Sequence, residues 1–138
     1  MIVIQELFPS LTMADMIKKR TKYTDLKFTK IEILNYLFQT CLALTHASER
    51  NVIHGDIKPV NILIDHNGNL KLANFGLSQL SIEDIYDASE LLLYVSAEEI
   101  KAEGQSHLSD IWSLGACLHE CCTRKATFSE DQSGHETH

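Results

Sequence analysis

A short hydroxyl residue followed three places later by a carboxylate, with apolar positions beyond it, occurs at Thr12 to Asp15, at Thr29 to Glu32 and at Ser96 to Glu99. In such a pattern side-chain oxygens satisfy the N–H groups that a starting helix leaves free, so each one predicts a helix start. Ahead of the first lie Ile2-Val3-Ile4, an extended β-branched run, and the Pro9-Ser10 pair. Together they predict a strand end, a turn and a short helix capped by Thr12. The second pattern opens the longest periodic stretch, apolar at Ile31, Leu34, Phe38, Cys41 and Leu44, and predicts a helix running to about Glu49. Residues 51–64 are apolar at both ends with polar groups between, which reads as a loop pinned by buried anchors. Ile62-Leu63-Ile64 and Leu70-Lys71-Leu72 flank Asp65-His66-Asn67-Gly68-Asn69, whose Asn-Gly step supplies the positive φ of a hairpin, so a two-stranded ribbon is predicted. Ser109-Asp110 opens a helix from Ile111 to about Cys122. With Trp112, Leu114 and Leu118 it is apolar nearly all round, and it is therefore the predicted buried helix. From Ser129 the chain is polar and reads as a frayed tail, which sets the domain reading at residues 1–128 followed by a tail over 129–138.

Composition narrows the partners. A chain of 138 residues with 44% hydrophobic and 22% charged positions is long enough for one domain with a core. Twelve basic against nineteen acidic residues give a net charge of −7, which leaves no electrostatic footprint for nucleic acid. The longest apolar run, Leu91 to Val95, is far short of a membrane span, and Met1 to Pro9 lacks the basic and apolar regions of a leader. The reading is a soluble, unsecreted protein. The basic cluster Lys18-Lys19-Arg20 with Lys22 reads as a solvated helix end. Four cysteines without paired Cys-x-x-Cys units read as reduced cytosolic thiols. Cys117, His119, Cys121 and Cys122 are all ligand types, but on a helix His119 lies about 200° from Cys117, so the set does not converge on one ion.

The segment His54-Gly55-Asp56-Ile57-Lys58-Pro59-Val60-Asn61 places a carboxylate, a cation two residues on and an amide five residues on. Phosphoryl transfer uses that trio: the carboxylate orients and deprotonates a hydroxyl, the cation neutralises the moving phosphoryl group, and the amide oxygen helps hold a metal ion. Alone, the segment reads equally as a loop of ordinary polar residues.

Other segments join it in order. His54 to Asn61 resembles the catalytic loop of protein kinases, and Lys71-Leu-Ala-Asn-Phe-Gly-Leu-Ser78 resembles the strand and metal-binding Asp-Phe-Gly that follow it. Ser96-Ala97-Glu98 resembles the Ala-Pro-Glu that closes the activation segment, and Ser109 to Gly115 resembles the central helix of the large lobe. Gln5-Glu6-Leu7-Phe8 resembles the hinge, and Phe38 to His46 is most similar to the NIMA-related (NEK) serine/threonine kinases. The resemblance implies an α+β fold: a mostly helical kinase large lobe with a small β-ribbon, the small lobe absent, since no Gly-x-Gly-x-x-Gly occurs among the six glycines. It implies Asp56 and Lys58 as catalytic groups, Asn61 and Asn74 at the metal, and Glu6, Phe8 and Leu63 around the nucleotide. It further implies His54 and Phe75 in a packed spine, Asp110 as the anchor of the catalytic loop, and Glu98 as a structural carboxylate.

Departures from the family pattern concentrate on the chemistry. Asn74 replaces the metal-binding Asp, offering one neutral oxygen where Mg²⁺ prefers a charged one. Gly55 stands where an Arg usually receives an activation-loop phosphate, Leu91-Leu92 replace Thr-Pro, and Ala97 replaces the Pro of the closing motif. Ser89 and Tyr86 are hydroxyls with no special claim to modification. The expectation is a catalytically impaired, NEK-like pseudokinase acting by binding a protein partner, with ATP and Mg²⁺ bound weakly or lost, no nucleic acid or membrane partner, and a cytoplasmic, cytoskeleton-associated location. The alternative is an ATP-dependent protein serine/threonine kinase, with Asp56 as base, that takes a small lobe in trans. A poorly folded gene fragment is the third reading. The His-Gly-Asp form also resembles aminoglycoside-type phosphotransferases, which lack the Ser-Asp-Ile-Trp-Ser-Leu-Gly element.

Overall fold

The computed structural model describes residues 4–23, 26–75 and 93–125. In chain order these form β1 (Leu11–Thr12), α1 (Met13–Lys22), α2 (Lys30–Ser48), a 3₁₀ turn at Pro59–Asn61, β2 (Ile62–Ile64), β3 (Leu70–Leu72), α3 (Ala97–Ile100) and α4 (His107–Thr123). The architecture is α+β, with helices packed around one small antiparallel sheet.

The local signals set the helix starts. Thr12 Oγ1 accepts from the Asp15 N–H and Asp15 Oδ2 accepts from the Thr12 N–H, both at 3.0 Å. Thr29 and Glu32 repeat that exchange at the head of α2, and Ser96 and Glu99 at the head of α3. A cap of this kind contributes about 1 kcal/mol to its helix. α4 begins earlier than its sequence suggests. Ser106 is the cap and Ser109 completes its box from the third helical position, so Ser109-Asp110 lies inside the first turn.

The sheet has a strand that residue pattern alone does not reveal. β2 pairs antiparallel with β3, Leu63 opposite Lys71, and β1 adds on the other side with Leu11 opposite Ile64. Residues 4–10 contain no strand, and Ile2 and Val3 lie outside the described residues. Ile4 and Leu7 are exposed, so the apolar signal at the start of the chain has no neighbour to pair with among the described residues. In the hairpin, Gly68 takes φ 81°, and Asp65 Oδ1 accepts from the Asn67 and Asn69 N–H groups. Gln39 on α2 locks this turn, its Nε2 donating to the Gly68 carbonyl and its Oε1 accepting from the Leu70 N–H, each at 2.8 Å.

The core gathers Met13 and Ile17 from α1, Tyr36 and Leu44 from α2, Ile57, Ile62 and Ile64, and Leu114, Cys117 and Cys121 from α4. Packing selects the inner face of α2 and corrects the expectation that α4 is buried all round. On α2 the buried positions are Tyr36, Thr40, Leu44 and Ala47, while Ile31 at 80% and Phe38 at 62% exposure lie on the outer face with Leu34. Apolar residues occur on both sides of this helix, and packing against α4 selects one of them. On α4, Leu108, Ile111 and Trp112 are exposed, whereas the polar Ser109, Asp110 and Ser113 are buried because they hold loops. Ser113 Oγ donates to the Tyr94 carbonyl at 2.7 Å.

Arg20 is not a solvated helix end. Its guanidinium forks onto Glu32 at 3.0 and 2.7 Å and lies 4.0 Å from the Phe28 ring centroid. The pairing holds the Glu32 carboxyl at about 2, well below the usual carboxylate range. Burial pushes the Cys121 thiol up to about 12 and raises Cys117 as well, so both behave as small apolar core residues rather than thiolates. The tail over 129–138 lies outside the described residues.

Candidate functional site

The site is built from the loop between α2 and β2, and α4 holds it. Asp110, in the first turn of α4 and only 3% exposed, accepts from the His54 N–H at 2.9 Å and from the Gly55 N–H at 2.8 Å. Each oxygen of its carboxylate takes one backbone donor, fixing the direction of the chain there. Gly55 sits at φ 74°, a left-handed conformation that suits glycine, and its carbonyl accepts from Gln105 Nε2 at 3.2 Å.

The His54 ring is fully buried. Its Nδ1 accepts from the Asp56 N–H at 3.2 Å, so the hydrogen sits on Nε2, which donates to the Ala73 carbonyl at 2.9 Å. Burial lowers its pKa, opposed in part by the Asp110 carboxylate, and favours the neutral form that this bonding needs. The Phe75 ring packs on it at 4.3 Å between centroids.

Beyond His54 the polar groups converge. Asp56 Oδ1 lies 3.0 Å from Lys58 Nζ, and Asp56 Oδ2 accepts from Asn61 Nδ2 at 2.7 Å. The same Asn61 nitrogen donates to the Asp56 carbonyl at 2.8 Å. Asn61 is on the 3₁₀ turn, and its backbone carbonyl accepts from the Ala73 N–H, which ties the loop to the end of β3. One residue on, Asn74 stands at φ 65°, a left-handed conformation that Asn tolerates, and its Nδ2 donates to Asn61 Oδ1 at 2.8 Å. Against a divalent cation this pair offers no charge, and its buried acceptor, Asn61 Oδ1, is already taken by an amide; Mg²⁺ is ordinarily held by carboxylates and phosphates. The residues present do not fit the ion.

Glu6, Phe8 and Leu63 meet around Lys71. Lys71 Nζ lies 2.5 Å from both Glu6 carboxylate oxygens and 4.9 Å from the centroid of Phe8, and Leu63 is its register partner. The Phe8 carbonyl accepts from Ser10 Oγ at 3.1 Å. Glu98 is not gathered in: it is exposed on α3 and forms no ion pair among the described residues. Gly76, Tyr86, Ser89, Leu91 and Leu92 lie outside the described residues. The sequence assigns no site role to Lys71 or Gln105, because one is a routine outward strand position and the other a lone polar residue in a turn. Among the described residues no three metal-ligating side chains cluster, and no helix is long and apolar enough to cross a membrane.

Comparison with known proteins identifies the family. The family model for the protein kinase domain matches residues 1–138. The chain is 41% identical over 120 residues to a probable serine/threonine-protein kinase, nek3, of Dictyostelium discoideum, covering 82% of this chain and 11% of that protein. It is 32% identical over 117 residues to mouse serine/threonine-protein kinase Nek1, covering 83% and 10%. It is 34% identical over 107 residues to human ribosomal protein S6 kinase alpha-1, covering 75% and 15%. The chain thus spans a small part of the length of each of these relatives.

Proposed function

This chain belongs to the protein kinase domain family and is similar to its NEK members, and from that premise we propose that it is a catalytically impaired kinase segment that acts by binding another protein. Kinases of this family act on proteins with ATP and Mg²⁺. Their catalysis is mostly positioning plus electrostatic stabilisation of the transferring phosphoryl group. Here the positioning half is retained, since Asp110 and His54 hold the loop and Asp56 meets both Lys58 and Asn61. The electrostatic half is reduced, and one observation carries the reading: position 74 bears a neutral amide bonded to Asn61. The acidic composition and the exposed apolar positions Ile31, Leu34 and Phe38 support a protein partner rather than nucleic acid, and a cytoplasmic setting fits thiols kept reduced.

A phosphotransfer assay with radiolabelled ATP, Mg²⁺ and a generic protein substrate tests this. The expected result is no transfer above that of Asp56→Asn. Turnover of about 1–100 per second, the ordinary range for kinases, overturns it.

The retained Asp56, Lys58 and Asn61 arrangement favours a second reading, an active ATP-dependent serine/threonine kinase. In it Asp56 accepts the substrate hydroxyl proton, Lys58 faces the phosphoryl group, and the nucleotide lies by Glu6, Phe8 and Leu63. The same assay decides between the two.

A further inference from the structure

The hydrogen bonds around Asn61 run in one direction only. A carboxylate can only accept, so the Asn61 amide nitrogen must face Asp56, and it is committed there twice, to Oδ2 and to the Asp56 carbonyl. Asn61 Oδ1 is therefore turned toward position 74. The side chain is 3% exposed, so that oxygen needs a donor. The donor is Asn74 Nδ2 at 2.8 Å. A carboxylate at position 74 would set acceptor against acceptor, an arrangement that calls for a cation between them. Asn61 cannot turn over to relieve it, because its oxygen would then face the Asp56 carboxylate. An amide at 74 removes the conflict by carrying the hydrogen itself.

Two flanking bonds act in the same place. The Ala73 N–H donates to the Asn61 carbonyl, and the Ala73 carbonyl accepts from His54 Nε2. Residues 73 and 74 are thus stitched to the loop by three bonds, none of which involves an ion.

We propose that Asn74 is a built-in substitute for the divalent cation: its amide, rather than a metal ion, fastens the end of β3 to the catalytic loop, so the loop assembles without Mg²⁺. This deepens the impaired-kinase reading and rests on it. It also makes position 74 a switch between two kinds of site. Asn74→Asp should trade a hydrogen-bonded latch for a divalent site made with Asn61 Oδ1 and water.

The test is thermal unfolding of the full chain at about pH 8, where carboxylates are charged, in EDTA and in millimolar MgCl₂ or MnCl₂, with bound Mn²⁺ read by electron paramagnetic resonance. The wild-type chain is expected to bind no Mn²⁺ and to melt alike in both conditions. Asn74→Asp is expected to melt about 3–6 °C lower in EDTA and to recover with either ion. Asn74→Ala is expected to melt lower in both, because it has neither amide nor carboxylate. Mn²⁺ held by the wild-type chain and lost in Asn74→Ala overturns the proposal, as does an Asn74→Asp chain that matches wild type in EDTA and ignores the ions. Should Asn74→Asp fail to fold, the wild-type titration and Asn74→Ala decide. Mn²⁺ bound by a wild-type chain that transfers no phosphate sinks this inference and leaves the impaired-kinase reading standing. Transfer without bound Mn²⁺ does the reverse.

Discussion

Asp110 and Asn74 stand at opposite ends of one polar chain and differ in burial, charge and partners. Asp110 is buried, charged and doubly bonded to backbone N–H groups, and the loop between α2 and β2 takes its path from it. Asn74 is exposed, neutral and, among the described residues, held by one side-chain bond. The first kind of group sets the path of the loop from within, and the second joins its outer rim to the end of β3. A chain can therefore lose the charge at position 74 and keep its fold, because folding energy is concentrated where donors are desolvated.

The hardest blow to that contrast is Asp110→Ala. It leaves the N–H groups of His54 and Gly55 without their acceptor, and urea denaturation should show a loss of about 3 kcal/mol. Asp110→Asn keeps one acceptor oxygen and should lose about half as much. Next in size is the Arg20–Glu32 fork, far from the site. Glu32→Gln should lower stability by about 1–2 kcal/mol after allowance for its partial exposure. Glu32 also fixes the acid limit. Its folded pKa lies below its unfolded one, so its contribution is present above about pH 4.5 and is lost as the pH falls toward 2.

His54 sets an earlier and shallower decline. Burial lowers its pKa, so below about pH 6.5 the unfolded chain takes up a proton that the folded chain refuses, and stability falls on acidification. Urea midpoints at about pH 7.5 and pH 5.5 should differ in that sense, and His54→Gln should flatten the difference. The smallest effect should be at Asn74 itself, where Asn74→Ala should reduce stability by about 0.5–1 kcal/mol. A loss there as large as that at Asp110 would erase the distinction between the two ends.

The sequence made legible whatever is local. Thr12, Thr29 and Ser96 each declare a helix start because cap and partner lie three residues apart. Asn67-Gly68 declares the turn for the same reason. What depends on a distant partner was not legible. β1 is two residues long and exists only because Ile64 and Leu63 lie beside it. The periodicity of α2 announces a helix but not its inner face, which is chosen by α4: Leu44 is buried while Ile31 and Phe38 are exposed. Arg20 looked like one cation in a basic run because Glu32 is twelve residues away and Phe28 eight. At the site, resemblance supplied the identities of Asp56, Lys58, Asn61 and Asn74. It did not supply the direction of the amide bonds between them, which follows only when their separations are known.

Gln39 carries one more consequence. Among the described residues the sheet order ends on β3, and a strand edge is where separate molecules can zip together. By offering one N–H and one carbonyl oxygen to Gly68 and Leu70, the Gln39 side chain imitates the peptide unit of an incoming strand. The edge is sealed at the hairpin end by the protein's own helix, and a second molecule would have to displace that amide before it could begin to polymerise with this one.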